Sequence, residues 1–261
     1  MKKKVLYTVL TGGYDQLIQH NYVDESYDYI CFSNDFKDEQ IGIWKIKPIL
    51  EKNNLSNHLL SRLPKLQPHK FVGNYDFSIY VDANVNIKDN FVFKRVENLI
   101  SKNILFAGLK HQLRDCLYRE SLEVLLNGFE KNIGKTMEQM KIFVKDGFPF
   151  NYGMYEANVL YRKHNSDIIK RQSDDWWNYV QNYSQRDQLS LSYTLWKNDI
   201  PFNFLLPENE WSRNSTHIDC YRHPKKQHLI MKIWKHLKEQ NILPLVSPIM
   251  YSFYKRIVLR A

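Results

Sequence analysis

The 261-residue chain has only three cysteines, Cys31, Cys116 and Cys220, scattered and without a CxxC pair. That pattern argues against a disulfide framework and a structural zinc site, and for free buried thiols in a reducing compartment. No run of about 18 apolar residues occurs, so no membrane-spanning helix is expected. Lys2 to Lys4 lead into an apolar stretch, Val5 to Leu10, that is too short for the core of a secretory signal, and none is expected. GxGxxG is missing, and no GK[ST] follows the glycine pair Gly12-Gly13, so neither the dinucleotide fingerprint nor the P-loop is present. Acid is scarce at one end. Residues 221–261 hold nine Lys/Arg against the single acid Glu239, a surplus of +8 out of the total +9. A nucleic-acid binder would carry its basic residues across the main surface, so no nucleic-acid partner is expected. A localised surplus better suits an anionic membrane surface.

What is present is core-forming material: 43% hydrophobic and 14% aromatic residues, ample for one large α/β domain with an appendage. The expected division is a domain over residues 1–220 and a basic helical C-terminal extension over 221–261. Strands are predicted over residues 4–10, 27–32, 44–49, 77–81, 104–109, 151–160 and 201–206. Helices are predicted over residues 55–66, 90–100, 114–128, 134–145, 167–183 and 186–197. The crossovers are long enough for parallel pairing, which predicts a mixed, mostly parallel sheet flanked by helices. In the extension, Ile230, Ile233, Trp234 and Leu237 fall at helical spacing between lysines, and residues 251–259 follow. Either this is a peripheral membrane anchor, or it packs on the domain with its lysines in solvent.

Asp76 to Asn86, DFSIYVDANVN, is the stretch around which the rest is organised. Its apolar part does not alternate, which suits a strand buried on both faces. It runs into Asp82-Ala83-Asn84, where positions i and i+2 point the same way. Asp82 and Asn84 suit a hard divalent cation completed by substrate oxygens; the plain alternative is a strand cap. Gly12 and Gly13, directly after the first strand, allow close backbone approach to a ligand, or make a simple turn. Arg62, Lys65 and His69 share one side of a helix and suit a diphosphate, or form a solvated face. Trp176-Trp177 read as core, with sugar stacking as the other reading.

Six stretches occur in order within residues 7–198: LTGGYDQL, RLPKLQPHKF, YDFSIYVDANVNI, KHQLRDCLYRE, NYGMYEANVLYRKHN and SQRDQLSLSYTLWKN. Together they resemble the TOD/MUCI-type glycosyltransferase-like domain, a group similar to metal-dependent glycosyltransferases of the GT-A fold. The resemblance implies a GT-A-like domain that moves a sugar from a nucleotide-sugar donor to a glycan or lipid-linked acceptor in cell-surface polysaccharide synthesis. With the free thiols, a cytoplasmic enzyme is expected, and the anchor reading of the extension would place it on the cytoplasmic face of the membrane. The resemblance places Asp82 and Asn84, on either side of Ala83, where a DxD binds Mn²⁺ or Mg²⁺, one charge short because of the amide. It implies that Thr11, Gly12, Gly13, Tyr14 and Asp15 close over base and ribose, and that Arg62 and Lys65 touch the phosphates. Asn151, Tyr152 and Gly153 would line the donor sugar. Arg186, Asp187 and Gln188 would begin a helix whose Asp meets donor or acceptor, and His217 would be a third metal ligand. An inverting reaction would use Asp187 as the base, with Glu156 and Asp115 in reserve; a retaining one would leave Asp187 to position the sugar. A sugar-nucleotide hydrolase or phosphotransferase, and a non-catalytic glycan-binding module, are the competing functions.

Overall fold

The computed structural model describes residues 2–50, 54–130, 132–221 and 243–259. Its strands are β1 (Lys4–Val9), β2 (Tyr27–Phe32), β3 (Gln40–Ile41), β4 (Trp44–Lys47), β5 (Phe77–Val81), β6 (Val85–Ile87), β7 (Phe106–Lys110), β8 (Tyr155–Arg162) and β9 (Ile218–Cys220). Its helices are α1 (Asn57–Leu66), α2 (Pro68–Phe71), α3 (Phe91–Ser101), α4 (Leu117–Leu126), α5 (Ile133–Lys145), α6 (Asp167–Asn182), α7 (Gln188–Lys197) and α8 (Leu243–Leu259). Seven strands form one sheet in the order β3-β4-β2-β1-β5-β8-β7, and β6 pairs with β9 in a separate antiparallel ladder. In the large sheet β1, β2, β4, β5 and β7 run one way, with β3 and β8 against them. This is the mixed, mostly parallel sheet expected.

All five residues of β5 are buried, because helices cover both faces of the sheet. On one face Val92, Phe93, Val96 and Leu99 of α3 pack with the small β6–β9 ladder. On the other, Leu66 of α1, Ile169 and Trp176 of α6, and Leu191 and Leu195 of α7 pack together. A third cluster joins α4 and α5 to Tyr254 and Val258 of α8. Tyr254 shares a hydrogen bond with Ser121 at 2.8 Å, and the Lys255 ammonium lies 4.6 Å from the Phe150 ring centre. The last part of the extension is thus a helix packed on the domain, with Phe253 exposed. The helix expected over residues 228–237 lies outside the described residues, and so do most of the extension's lysines. Among the described residues no helix is long and apolar enough to cross a membrane.

Two strand expectations are corrected. Residues 201–206 form a single parallel bridge, Phe204 with Gly108, and not a strand. Pro201 has no N–H, and the Asn203 N–H, which a longer ladder would need, donates to the Tyr155 hydroxyl, while the Asn203 carbonyl accepts from Gly108 N–H in the bridge itself. The strand expected from residue 151 starts at Tyr155, because Asn151 (φ 58°) and Gly153 (φ 112°) adopt left-handed backbone.

The topology locates a site. Strand β1 has β2 on one side and β5 on the other, so the winding direction reverses between β1 and β5. Open α/β sheets bind ligands at the carboxyl ends of the strands at such a reversal. Those ends carry residues 11–15 and 82–84, and Ile18 N–H donates to the Ala83 carbonyl across the gap at 3.3 Å.

Two buried imidazoles make stability pH-dependent. His164 lies between Ser78 Oγ and the Val72 carbonyl, and His20 Nδ1 accepts from Ile87 N–H. Burial pushes both down to about 4 from the ordinary 6.5. Between those values the unfolded chain binds protons that the folded one refuses, so stability is full above pH 6.5 and is lost as pH falls towards 4. We expect the melting temperature, followed by circular dichroism, to fall across that window. An unchanged melting temperature would mean that these imidazoles are charged in the fold.

Candidate active site

Helix α1 begins at Ser56, whose Oγ accepts from Leu59 N–H, and its Leu63 and Leu66 are buried. The side chain of Lys65 is carried inward with them and is only 3% exposed. Its ammonium lies 3.1 Å from Asp82 Oδ1, at the end of β5, and 2.6 Å from Asp187 Oδ2, at the start of α7. Arg62, one turn earlier, places Nε 3.7 Å from the same Asp187 oxygen. Tyr80 O–H donates to Asp82 Oδ1 at 2.6 Å. Asp187 caps α7 by accepting from Gln188 N–H, and Trp176 Nε1–H donates to the Asp187 carbonyl at 2.7 Å. Burial by itself would raise the Asp187 pKa, but the Lys65 ammonium and Arg62 guanidinium outweigh it and hold the carboxyl well below the usual range.

Asn84 is pinned from the other side. Its Nδ2–H donates to the Tyr221 carbonyl at 2.6 Å, and its own carbonyl accepts from Tyr221 N–H. An aspartate here would set a carboxylate against a carbonyl oxygen, so the amide is required by the clasp. Asn84 Oδ1 is buried and has no partner among the described residues, as are Asn158 Oδ1 and Gln188 Nε2. Buried polar atoms are nearly always paired, so unpartnered ones grouped around a cluster of charges mark a place for a ligand. Asn158 accepts Asp82 N–H on its backbone carbonyl. Two residues earlier on β8, Glu156 accepts from Ser212 N–H at 3.2 Å, and desolvation raises its pKa.

The other expected residues are distributed as follows. Thr11 Oγ1 donates to the Asn57 carbonyl, Gly12 (φ 70°) and Gly13 (φ 59°) are left-handed, and Gly13 N–H donates to Asp35. A Cβ on Gly12 would meet Asn57 Nδ2 at 2.7 Å. Tyr14 stands at the open rim, half exposed, and Asp15 continues the loop. Ala83 is buried in the turn. Arg186 lies over the Phe129 ring at 5.2 Å.

Three expectations change. His217 is not brought to the Asp82 turn. It stacks on Phe91 at 3.9 Å and pairs with Asp89, at the far end of the β6–β9 ladder from Asn84. Tyr152 and Gly153 line a cleft beside β7, with Asn151 exposed just before them, and none of the three touches the charged cluster. Asp187 sits in an ion pair that makes it a weak base. Sequence reasoning missed Tyr80 and Asn158. Glu156 and Asn158 did leave a signal, as two polar residues at i and i+2 in a strand whose other members, up to its last residue Arg162, are apolar or aromatic.

A family model described as TOD1/MUCI70, glycosyltransferase-like domain, matches residues 16–222. No curated protein matches the chain. Among solved structures, the chain is similar to the apo form of the bifunctional glycosyltransferase WbbM, with 11% identity and a TM-score of 0.49 over 78% of this chain. It spans only 38% of WbbM's length. It is similar to mouse xyloside xylosyltransferase 1 in its apo form, with 8% identity and a TM-score of 0.46 over 78% of this chain and 85% of that one. A third similar structure is galactosyltransferase LgtC in complex with donor and acceptor sugar analogues, with 11% identity and a TM-score of 0.48 over 98% of this chain and 95% of that one.

Removing one member of a buried ion pair costs about 3–5 kcal/mol, because the partner charge stays buried. We therefore expect Lys65→Met to destabilise the protein by about that much in urea unfolding, and Lys65→Met/Asp187→Asn to recover part of the loss. Strictly additive effects would mean that the two residues do not interact.

Proposed function

The chain belongs to the TOD1/MUCI70 glycosyltransferase-like domain family, and from that membership we propose that it transfers a sugar from a nucleotide-sugar donor to a hydroxyl of a glycan or lipid-linked acceptor in cell-surface polysaccharide synthesis. The observation that carries this reading is the Asp82–Lys65–Asp187 cluster at the reversal point of the sheet, ringed by unpartnered polar atoms. The glycine loop at residues 12–13 lets the nucleoside approach the backbone. Arg62, Arg186 and the N-terminus of α7 supply positive potential for the diphosphate.

Asp82 and Asn84 fit a hard cation such as Mn²⁺ or Mg²⁺. Both offer oxygen, and Asn84 Oδ1 is buried without a partner. Among the described residues no cluster of three or more His, Cys, Asp or Glu completes a cage, so diphosphate and water oxygens would fill the shell, as these ions accept. When bound, the cation would offset charge on the departing diphosphate. Lys65 and Arg62 act in the same sense, and Lys65 holds Asp82 in place.

Glu156 is the proton acceptor in this scheme. Its raised pKa brings it nearer neutral pH, where a general base works best, whereas Asp187 is held too acidic. The acceptor hydroxyl gives its proton to Glu156, its oxygen bonds to the anomeric carbon, and the bond from that carbon to the diphosphate oxygen breaks. The nucleoside diphosphate leaves with the electron pair, and the anomeric configuration inverts. The unpaired thiols support a reducing, cytoplasmic setting. The basic extension supports attachment to an anionic membrane. Pelleting of the full chain with anionic but not neutral vesicles is expected, and equal pelleting with both would remove the membrane from this reading.

Nucleoside diphosphates with Mn²⁺ should raise the melting temperature of the wild type and leave that of Asp82→Ala unmoved. A shift of equal size in the variant would remove Asp82 from the donor site. Glu156→Gln should lower kcat about 10²–10⁴-fold with little change in donor KM, and should abolish the acid limb of the pH–rate profile. Retention of anomeric configuration in the product would take the base role from Glu156.

A further inference from the structure

Beside β7 lies a cleft of about 510 Å³ that the donor scheme does not use. Such a volume lies within the range of small-molecule sites. Three aromatic rings form one wall. Tyr152 and Phe202 have ring centres 5.3 Å apart, and Phe202 and Phe204 6.4 Å apart. Gly153 turns the chain beside this wall at φ 112°, a backbone that residues with side chains rarely adopt. The facing loop is firmly built. His111 Nδ1 accepts from the backbone N–H groups of Leu113 and Arg114, His111 N–H donates to the Met154 carbonyl, and Gly153 N–H donates to the Asp115 carbonyl.

Charge separates this cleft from the donor cluster. Arg114 is paired with the buried Glu120, and exposed Lys110 faces the same cleft as Asp115, so the lining is balanced. The donor cluster instead concentrates three cations, Lys65, Arg62 and Arg186, around Asp187 and the Asp82 turn. A polyanionic nucleotide therefore gains nothing in the cleft. Aromatic faces flanked by neutral and balanced polar groups suit the C–H face and hydroxyls of an uncharged sugar ring. Strand β8 connects the two places: Met154 borders the cleft, Glu156 follows, and Asn158 meets Asp82.

We propose that this cleft binds an uncharged sugar residue of the acceptor glycan, stacked on Tyr152, Phe202 and Phe204, with Asp115 and Gln112 taking its hydroxyls. The proposal rests on the glycosyltransferase reading above, and it reassigns Tyr152 and Gly153 from the donor to the acceptor. The test is saturation-transfer NMR on the full chain with methyl glycosides of neutral hexoses and N-acetylhexosamines, with nucleoside diphosphate plus Mn²⁺ followed separately by thermal shift. Transfer to at least one glycoside is expected in the wild type, about tenfold weaker in Tyr152→Ala and in Asp115→Ala, with the nucleotide shift kept in both. No glycoside binding, undiminished binding in Tyr152→Ala, or loss of the nucleotide shift in Tyr152→Ala would each overturn it. Tyr152-dependent glycoside binding without any nucleotide shift in the wild type would keep the cleft as a carbohydrate site and refute the donor scheme instead.

Discussion

One buried ammonium, that of Lys65, holds together three parts of the chain that lie far apart in sequence: α1, the end of β5 and the start of α7. Two carboxylates brought together out of water would repel, and each would be costly to desolvate. A cation between them turns repulsion into attraction and fixes their separation. The backbone of Lys65 is itself held, because the fully buried Arg162 donates to its carbonyl at 2.7 Å and to Tyr7 Oη at 2.6 Å. The geometry of the site therefore follows from the packing of α1 on the sheet, and the side chains have little freedom to depart from it.

The same environment gives two carboxylates different work. Asp187, between Lys65 and Arg62, stays ionised and anchors the N-terminus of α7. Glu156, on β8, is desolvated and accepts from Ser212 N–H, and it is the more basic of the two. Groups whose surroundings drive their pKa values apart divide acid–base labour in this way. Asn84 shows a related division within one side chain, with nitrogen fastening the end of the β6–β9 ladder and oxygen buried without a partner among the described residues.

Much of the scaffold was legible. The apolar run at residues 77–81 marks a strand buried on both sides, and it is one. The glycine pair after the first strand marks a tight turn, and both residues are left-handed. Residues whose environment depends on distant partners were harder to read. Asp187 looked like a proton acceptor because nothing nearby in sequence announces Lys65. His217 looked like a ligand for Asp82 because no local pattern shows that the β6–β9 pairing carries it to Asp89. The segment at residues 201–206 has strand composition, yet a tyrosine hydroxyl across the fold takes the Asn203 N–H that a longer ladder would use.

Local chemistry thus determined the elements, the sheet class and the turn residues, since periodicity and backbone preference act over a few neighbours. The order of strands, and with it the crevice between β1 and β5, was decided only by the assembled fold. So were the charge state of each carboxylate and the separation of the aromatic cleft from the cationic cluster. These depend on burial and on Coulomb interactions between groups far apart in the chain, 122 positions in the case of Lys65 and Asp187. Such interactions fall off with distance in space and are blind to distance along the chain.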